Sequence, residues 1–322
     1  MSDIARIEAA ARRLRGHIRR TPLLNAPLLD RIAGRQVFVK AECLQWTGSF
    51  KARGGWAAVS ALPPELRAQG VLACSSGNHA QGVAWAAAAH GVPAVIVMPS
   101  DAPAVKIANT RAYGAEVVLY DRATQDRDAI GQALAGARGL SLIPPYDHDE
   151  VIAGQGSIGL EMAEQAAEAG IAAAPVLTCC GGGGMTAGIA LALEARAPGL
   201  RVRPVEPAGF DDTARSLAAG RIVRNERPSG SICDAIVTPQ PGALTFPILH
   251  RLCGPGLTVT DDQALQAMAL AFQHLRIVLE PGGAVALAAA IFAPDLGDRV
   301  ICTASGGNVD PRLFHQVLGR FA

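Results

Sequence analysis

Val176-Leu177-Thr178-Cys179 runs directly into Cys180-Gly181-Gly182-Gly183-Gly184-Met185. The first four residues read as a strand, and a helix is predicted from about Met185. Four consecutive glycines cost folding entropy at each position. What they provide is backbone N–H groups able to approach an anion closely. The helix N-terminus behind them carries roughly half a positive charge. A phosphate is the predicted guest, with a merely flexible turn as the alternative. No Lys-Ser/Thr ending follows the glycines, which argues against a nucleoside triphosphate.

Outward from this loop, strand-like and helix-like segments alternate. Strands are predicted at 36–41, 71–73, 94–98, 115–120, 176–179, 202–206, 257–260 and 300–303. Helices are predicted at 3–18, after 49, at 78–90, 103–113, up to about 137, at 151–169, 213–219, after 261–262 and around 285–291. This alternation implies an α/β fold with mostly parallel sheets. Ligands of such folds bind beyond the carboxyl ends of strands. Four unusual loops stand there: Ser75-Ser76-Gly77-Asn78-His79, Gly181 to Met185, Glu206 to Asp212, and Ser305-Gly306-Gly307-Asn308. The Pro144-Pro145 break suggests a domain crossing. A second glycine motif, Gly154-Gln155-Gly156-Ser157-Ile158-Gly159, matches the dinucleotide pattern. It follows a polar stretch instead of a strand and lacks an acidic residue about twenty positions on, so no dinucleotide is expected there.

Of 322 residues, half are hydrophobic and only 18% charged, which excludes intrinsic disorder. The net charge of +1 and the absence of a basic run argue against nucleic-acid and anionic-membrane partners. The apolar run 284–293 is about half the ~20 residues a bilayer span requires. The N-terminal segment is amphipathic and Arg-rich, so no secretory signal is expected. Seven cysteines without CxxC spacing read as reduced thiols of a cytoplasmic protein, and no zinc site is expected.

Only three of the 29 basic residues are lysines: Lys40, Lys51 and Lys106. Arginine stays protonated and cannot serve as an amine nucleophile. Lys51 lies in Thr47-Gly48-Ser49-Phe50-Lys51-Ala52-Arg53-Gly54, where Phe50 and Trp46 could wall it from water and Arg53 could add a positive neighbour. An ion pair with Glu42 is expected for Lys40, and a solvated helix face for Lys106. The loop 75–79 can bind an anion or simply cap the helix after it. Glu206 and Asp212 can flank a hard cation, or Asp212 or Thr213 can cap the next helix.

Taken together, these segments resemble the serine/threonine dehydratase and serine racemase family of pyridoxal-phosphate enzymes, of the tryptophan-synthase-β fold type (fold type II). The resemblance spans nearly the whole chain. It rests on Arg19 to Leu23, Gly48 to Gly54, Ser75 to Gly82, Met98 to Pro103, Thr110 to Glu116, Ile152 to Gly156, Gly181 to Met185, Glu280-Pro281, and Ser305 to Asn308. It implies two domains, 1–64 with 148–322 binding the cofactor and a smaller α/β domain at 65–147. Lys51 would hold pyridoxal 5'-phosphate as a Schiff base and move the substrate α-proton, with Phe50 near the ring. Asn78 would bond the ring's 3'-oxygen, Gly181, Gly182, Gly183, Gly184 and Met185 the phosphate, and Ser305 would face the ring nitrogen. Ser75, Ser76, Gly77, Asn78 and His79 would hold the substrate carboxylate. Ser76 also matches the residue serving the opposite ring face in racemases. Glu206, the Phe210 carbonyl and Asp212 match the family's divalent-cation site, for Mg2+ or another ion.

The activity this implies is an ammonia-lyase converting a 3-hydroxy amino acid (L-threonine, L-serine or 3-hydroxyaspartate) to a 2-oxo acid and ammonia. Racemisation is the alternative enzyme reading, and a non-catalytic amino-acid sensor a third. A neutral Ser305 cannot hold the ring nitrogen protonated as a carboxylate would, which favours elimination over transamination. Gly282-Gly283 departs from the Ser or Thr that many relatives carry after Glu-Pro. With the sequence ending at 322, no C-terminal regulatory domain is expected, and a homodimer is the expected assembly.

Overall fold

Two separate sheets carry the alternation read from the sequence. The structure, a computed structural model, describes residues 2–75, 77–102 and 104–321, with only the backbone of Val105. In chain order the first elements are α1 (Ile4–Leu14), β1 (Leu23–Leu24), α2 (Pro27–Ala33), β2 (Gln36–Lys40), α3 (Lys51–Ala61) and α4 (Pro64–Gln69). Next come β3 (Val71–Cys74), α5 (Asn78–Ala89), β4 (Ala94–Pro99), α6 (Ala104–Ala112), β5 (Glu116–Tyr120), α7 (Arg127–Arg138) and β6 (Ser141–Leu142). They are followed by α8 (Asp149–Glu168), β7 (Ala174–Cys179), α9 (Gly184–Arg196), β8 (Leu200–Pro207), α10 (Asp212–Ala219), α11 (Thr245–Leu252) and β9 (Leu257–Val259). The last are α12 (Asp261–Leu270), α13 (Pro281–Phe292), β10 (Arg299–Thr303) and α14 (Pro311–Phe321).

The larger sheet has the order β1-β2-β10-β7-β8-β9 and the smaller β5-β4-β3-β6. Every pair is parallel except β1 with β2. Helices on both faces explain why β4 is buried along its whole length and β7 along nearly all of it. The predicted first helix stops at Leu14, short of the expected 18, where Gly16 turns the backbone to φ 81°. Pro103, the expected start of α6, lies outside the described residues.

The segment 154–159 is an interior part of α8, buried against α1, α3 and α9. A Cβ on Gly154 would stand 2.6 Å from the Ala57 methyl, and one on Gly159 2.7 Å from that of Ala192. On the facing helix, a Cβ on Gly188 would lie 2.4 Å from the Ile152 carbonyl. These glycines let helices cross at close range.

Beneath α3 lies a buried ion cluster. Arg53 pairs with Glu42 (2.8 Å) and Glu161 (2.7 Å). Lys40 binds Glu161 (2.5 Å), Gln165 and the Thr21 carbonyl. The expected Lys40–Glu42 pair is therefore corrected, because Arg53 takes Glu42 and a carboxylate of α8 reaches Lys40.

Candidate active site

Three of the four loops singled out from the sequence, at the ends of β3, β7 and β10, meet the segment that follows β2, whereas the 206–212 loop after β8 stays outside. A single bridge joins Ser49 to Gly306, and the Phe50 N–H donates to the Ser305 carbonyl (3.1 Å). The Gly307 N–H donates to the Gly48 carbonyl (2.9 Å). These bonds fasten the start of α3 to the end of β10. They bring Lys51 to the wall of a cavity of about 510 Å³, in the size range of small-molecule sites.

That cavity gathers Phe50, Lys51, Ser75, Gly77, Asn78, His79, Gly181 to Met185, and Ser305. All are residues singled out from the sequence. Ser76 lies outside the described residues. The Lys51 ammonium donates to the Pro145 carbonyl (2.6 Å) and lies 5.1 Å from the centre of the Phe50 ring. It has no carboxylate partner among the described residues. Burial pushes its pKa down to about 8, a shift that favours the neutral, nucleophilic amine. The Arg53 charge expected to help is neutralised in the ion cluster, so desolvation alone does this.

Opposite stands the glycine loop. Gly183, at φ 91°, caps the start of α9 in a conformation that favours glycine. The N–H groups of Gly184, Met185 and Thr186 have no partner within the helix, and no described acceptor takes them. Thr245 and the Gly242 N–H hold the Gly182 carbonyl (2.7 and 3.2 Å). A Cβ on Gly182 would lie 2.3 Å from the Tyr146 ring, so a side chain here would close the cradle. Free N–H groups at a helix start suit a phosphate, and a desolvated lysine across the same cavity suits an aldehyde. The residues present fit pyridoxal phosphate.

The remaining polar groups are largely fixed. Asn78 donates to Glu280, and its side-chain oxygen accepts from Asn308 (2.7 Å). Its second amide hydrogen meets no described acceptor. His79 is buried, and its Nε2 meets the Ile143 carbonyl (2.8 Å). Burial lowers its pKa to about 3, which keeps the ring neutral, and its buried Nδ1 has no partner among the described residues. The Ser75 hydroxyl accepts from the Gly77 N–H (3.2 Å). Ser305 is buried beside the Cys179 thiol. Burial raises Glu280 to about 7.

Glu206, Phe210 and Asp212 lie outside the cavity lining. Both Glu206 oxygens accept helix-start N–H groups, from Thr213 (2.9 Å) and Ala214 (2.8 Å). Glu206 itself therefore caps α10, a task expected of Asp212 or Thr213. One Asp212 oxygen accepts from Asn225 (2.6 Å), and the other is buried without a partner among the described residues. Burial raises Glu206 to about 8, helped by Asp212, and Asp212 to about 7. No cluster of three or more His, Cys, Asp or Glu able to hold a metal occurs among the described residues.

Sequence reasoning missed several lining residues. Tyr146 and Asp147 follow the Pro144-Pro145 break, and Asp147 accepts the N–H groups of Ala243, Leu244 and Thr245 at the start of α11. The break was the available signal. Lys106, expected on a solvated face, is half-buried and lines the cavity, because α6 docks beside α5. All seven cysteines are free thiols, and no described helix is long and apolar enough to cross a membrane.

Comparison with known proteins agrees with this geometry. The family described as "Pyridoxal-phosphate dependent enzyme" matches residues 14–306. The chain is 44% identical over 311 residues to an L-threo-3-hydroxyaspartate ammonia-lyase of a Pseudomonas species, covering 96% of each. It superposes on a threonine deaminase from T.th. with a TM-score of 0.90 at 45% identity, covering 96% of this chain and 99% of that one. With maize serine racemase the TM-score is 0.92 at 34% identity, over 99% and 97% of the two chains.

Proposed function

This chain belongs to the family of pyridoxal-phosphate dependent enzymes, and we propose that it is an ammonia-lyase acting on a 3-hydroxy amino acid. L-threonine, L-serine and 3-hydroxyaspartate form the substrate class. The observation that carries this reading is one cavity holding a desolvated Lys51, the unpaired N–H groups of Gly184 to Thr186, and the neutral Ser305. When bound, the cofactor supplies an electron-accepting ring that weakens the substrate's Cα–H bond.

The side chains divide the remaining work. The loop 181–185 and the start of α9 hold the phosphate, and Phe50 flanks the ring. Ser75, Ser76, Gly77, Asn78 and His79 orient the substrate carboxylate at the start of α5. Lys51 Nζ takes the proton from Cα, the Cβ–OH bond breaks, and one proton in exchange for that one passes to the departing hydroxyl, which leaves as water. The unsaturated amino acid released tautomerises, takes up one water and yields the 2-oxo acid and ammonia. Ser305 gives the ring nitrogen a neutral partner, which supports elimination over transamination. Incubating the purified protein with each amino acid and measuring 2-oxo acid and ammonia tests the proposal. Product from at least one is expected; none from any defeats it. Chiral analysis of recovered serine detects a racemase in its place.

We infer further that 65–147 forms the smaller domain, that the protein is a cytoplasmic homodimer, and that Glu206, the Phe210 carbonyl and Asp212 take a divalent cation such as Mg2+. The free thiols support the compartment, and the unpartnered Asp212 oxygen supports the cation. Saturating Mg2+ should raise the melting temperature of metal-stripped protein by about 5 °C. An unchanged value would leave Glu206 as a helix cap only.

A further inference from the structure

The cavity contains an ammonium that the reading above does not use. Lys106, on α6, is half-buried, and its side chain makes no hydrogen bond or ion pair with any described residue. Two other cations lining the cavity are already matched, Arg122 by Asp101 (2.8 Å) and Arg127 by Asp128 (2.9 Å). The charge of Lys106 is felt by Glu280, which is beyond ion-pair distance and bonded to Asn78. A methyl placed on Gly77 would stand 3.7 Å from Lys106 Nζ, so this ammonium lies over the first turn of α5.

An ammonium lining a cavity without a described counter-ion is open to an anionic ligand. The cavity already offers N–H groups for a phosphate and the 75–79 loop for one carboxylate. Lys106 marks a third anionic position. Resting on the ammonia-lyase reading, we propose that Lys106 binds the distal carboxylate of a dicarboxylic 3-hydroxy amino acid of the 3-hydroxyaspartate type. Serine and threonine leave this ammonium unpaired. A charge-assisted hydrogen bond of this kind is worth about ten- to a hundredfold in affinity.

The test compares wild-type holoenzyme with Lys106→Met and Lys106→Arg. The ratio of kcat/KM for 3-hydroxyaspartate over serine should fall at least thirtyfold in Lys106→Met, through KM, and be largely rescued in Lys106→Arg. Calorimetry with unreactive succinate and butyrate gives a reading independent of turnover. Wild type should prefer succinate at least tenfold, and Lys106→Met should not. Matching melting temperatures establish that the variants are folded. Equal losses on both amino acids with an unchanged succinate preference would overturn the assignment. Turnover of no hydroxy amino acid would defeat the lyase reading, while the succinate preference would still decide the role of Lys106.

Discussion

Two pairs of cations on and beside α3 have opposite surroundings. Lys40 and Arg53 are enclosed with Glu42 and Glu161, two positive charges against two negative. Lys51 and Lys106 line the cavity, and neither has a carboxylate partner among the described residues. Burial lowers the pKa of both Lys40 and Lys51. For Lys40, Glu42 and Glu161 oppose the shift; for Lys51 nothing does. The same residue type thus becomes a fastener where carboxylates surround it and a reagent where they are missing.

Removing the unbalanced amine breaks this comparison most severely. Lys51→Ala should lower 2-oxo acid formation by about 10³ or more and abolish the yellow colour that borohydride bleaches in the wild type. Appreciable residual turnover would show that the amine is not the reagent. On the balanced side, Glu161→Gln leaves two cations facing one carboxylate. Breaking a buried pair of this kind costs about 3 kcal/mol, the low end of the usual range because Glu161 is slightly exposed. Chemical denaturation should show that loss, without a change in substrate preference. The smallest effect is a shift in pH dependence. An ammonium with a lowered pKa becomes neutral as pH rises, so uptake of pyridoxal phosphate by cofactor-stripped protein should accelerate through about pH 8. A midpoint near the usual lysine value of about 10.4 would mean that Lys51 is hydrated.

What the sequence disclosed was local. The strand–glycine–helix passage at 176–185 and the alternation around it carry their meaning within a few residues, and both sheets follow from them. Lys51 stood out because lysine is scarce. The dinucleotide-like glycines of α8 were set aside for want of a preceding strand, and their role in helix crossing emerged only from the facing helices. The partner of Lys40 lies 121 residues away, and no local pattern specifies it. The orientation of Lys106 was misread for the same reason, since the docking of α6 against α5 decides which face meets water. Glu206 as the cap of α10 was equally hidden, because an acceptor from a preceding strand end leaves no capping signature at the helix itself.

The Ser49–Gly306 bridge and the pairing of β2 with β10 carry a consequence for synthesis. A ribosome delivers Lys51 about 250 residues before β10, the strand whose end fixes its position. Until then the reactive amine belongs to an unfinished sheet edge, and fragments ending before Arg299 should neither fold stably nor acquire the cofactor. Assembly of the lysine site therefore waits on the emergence of β10.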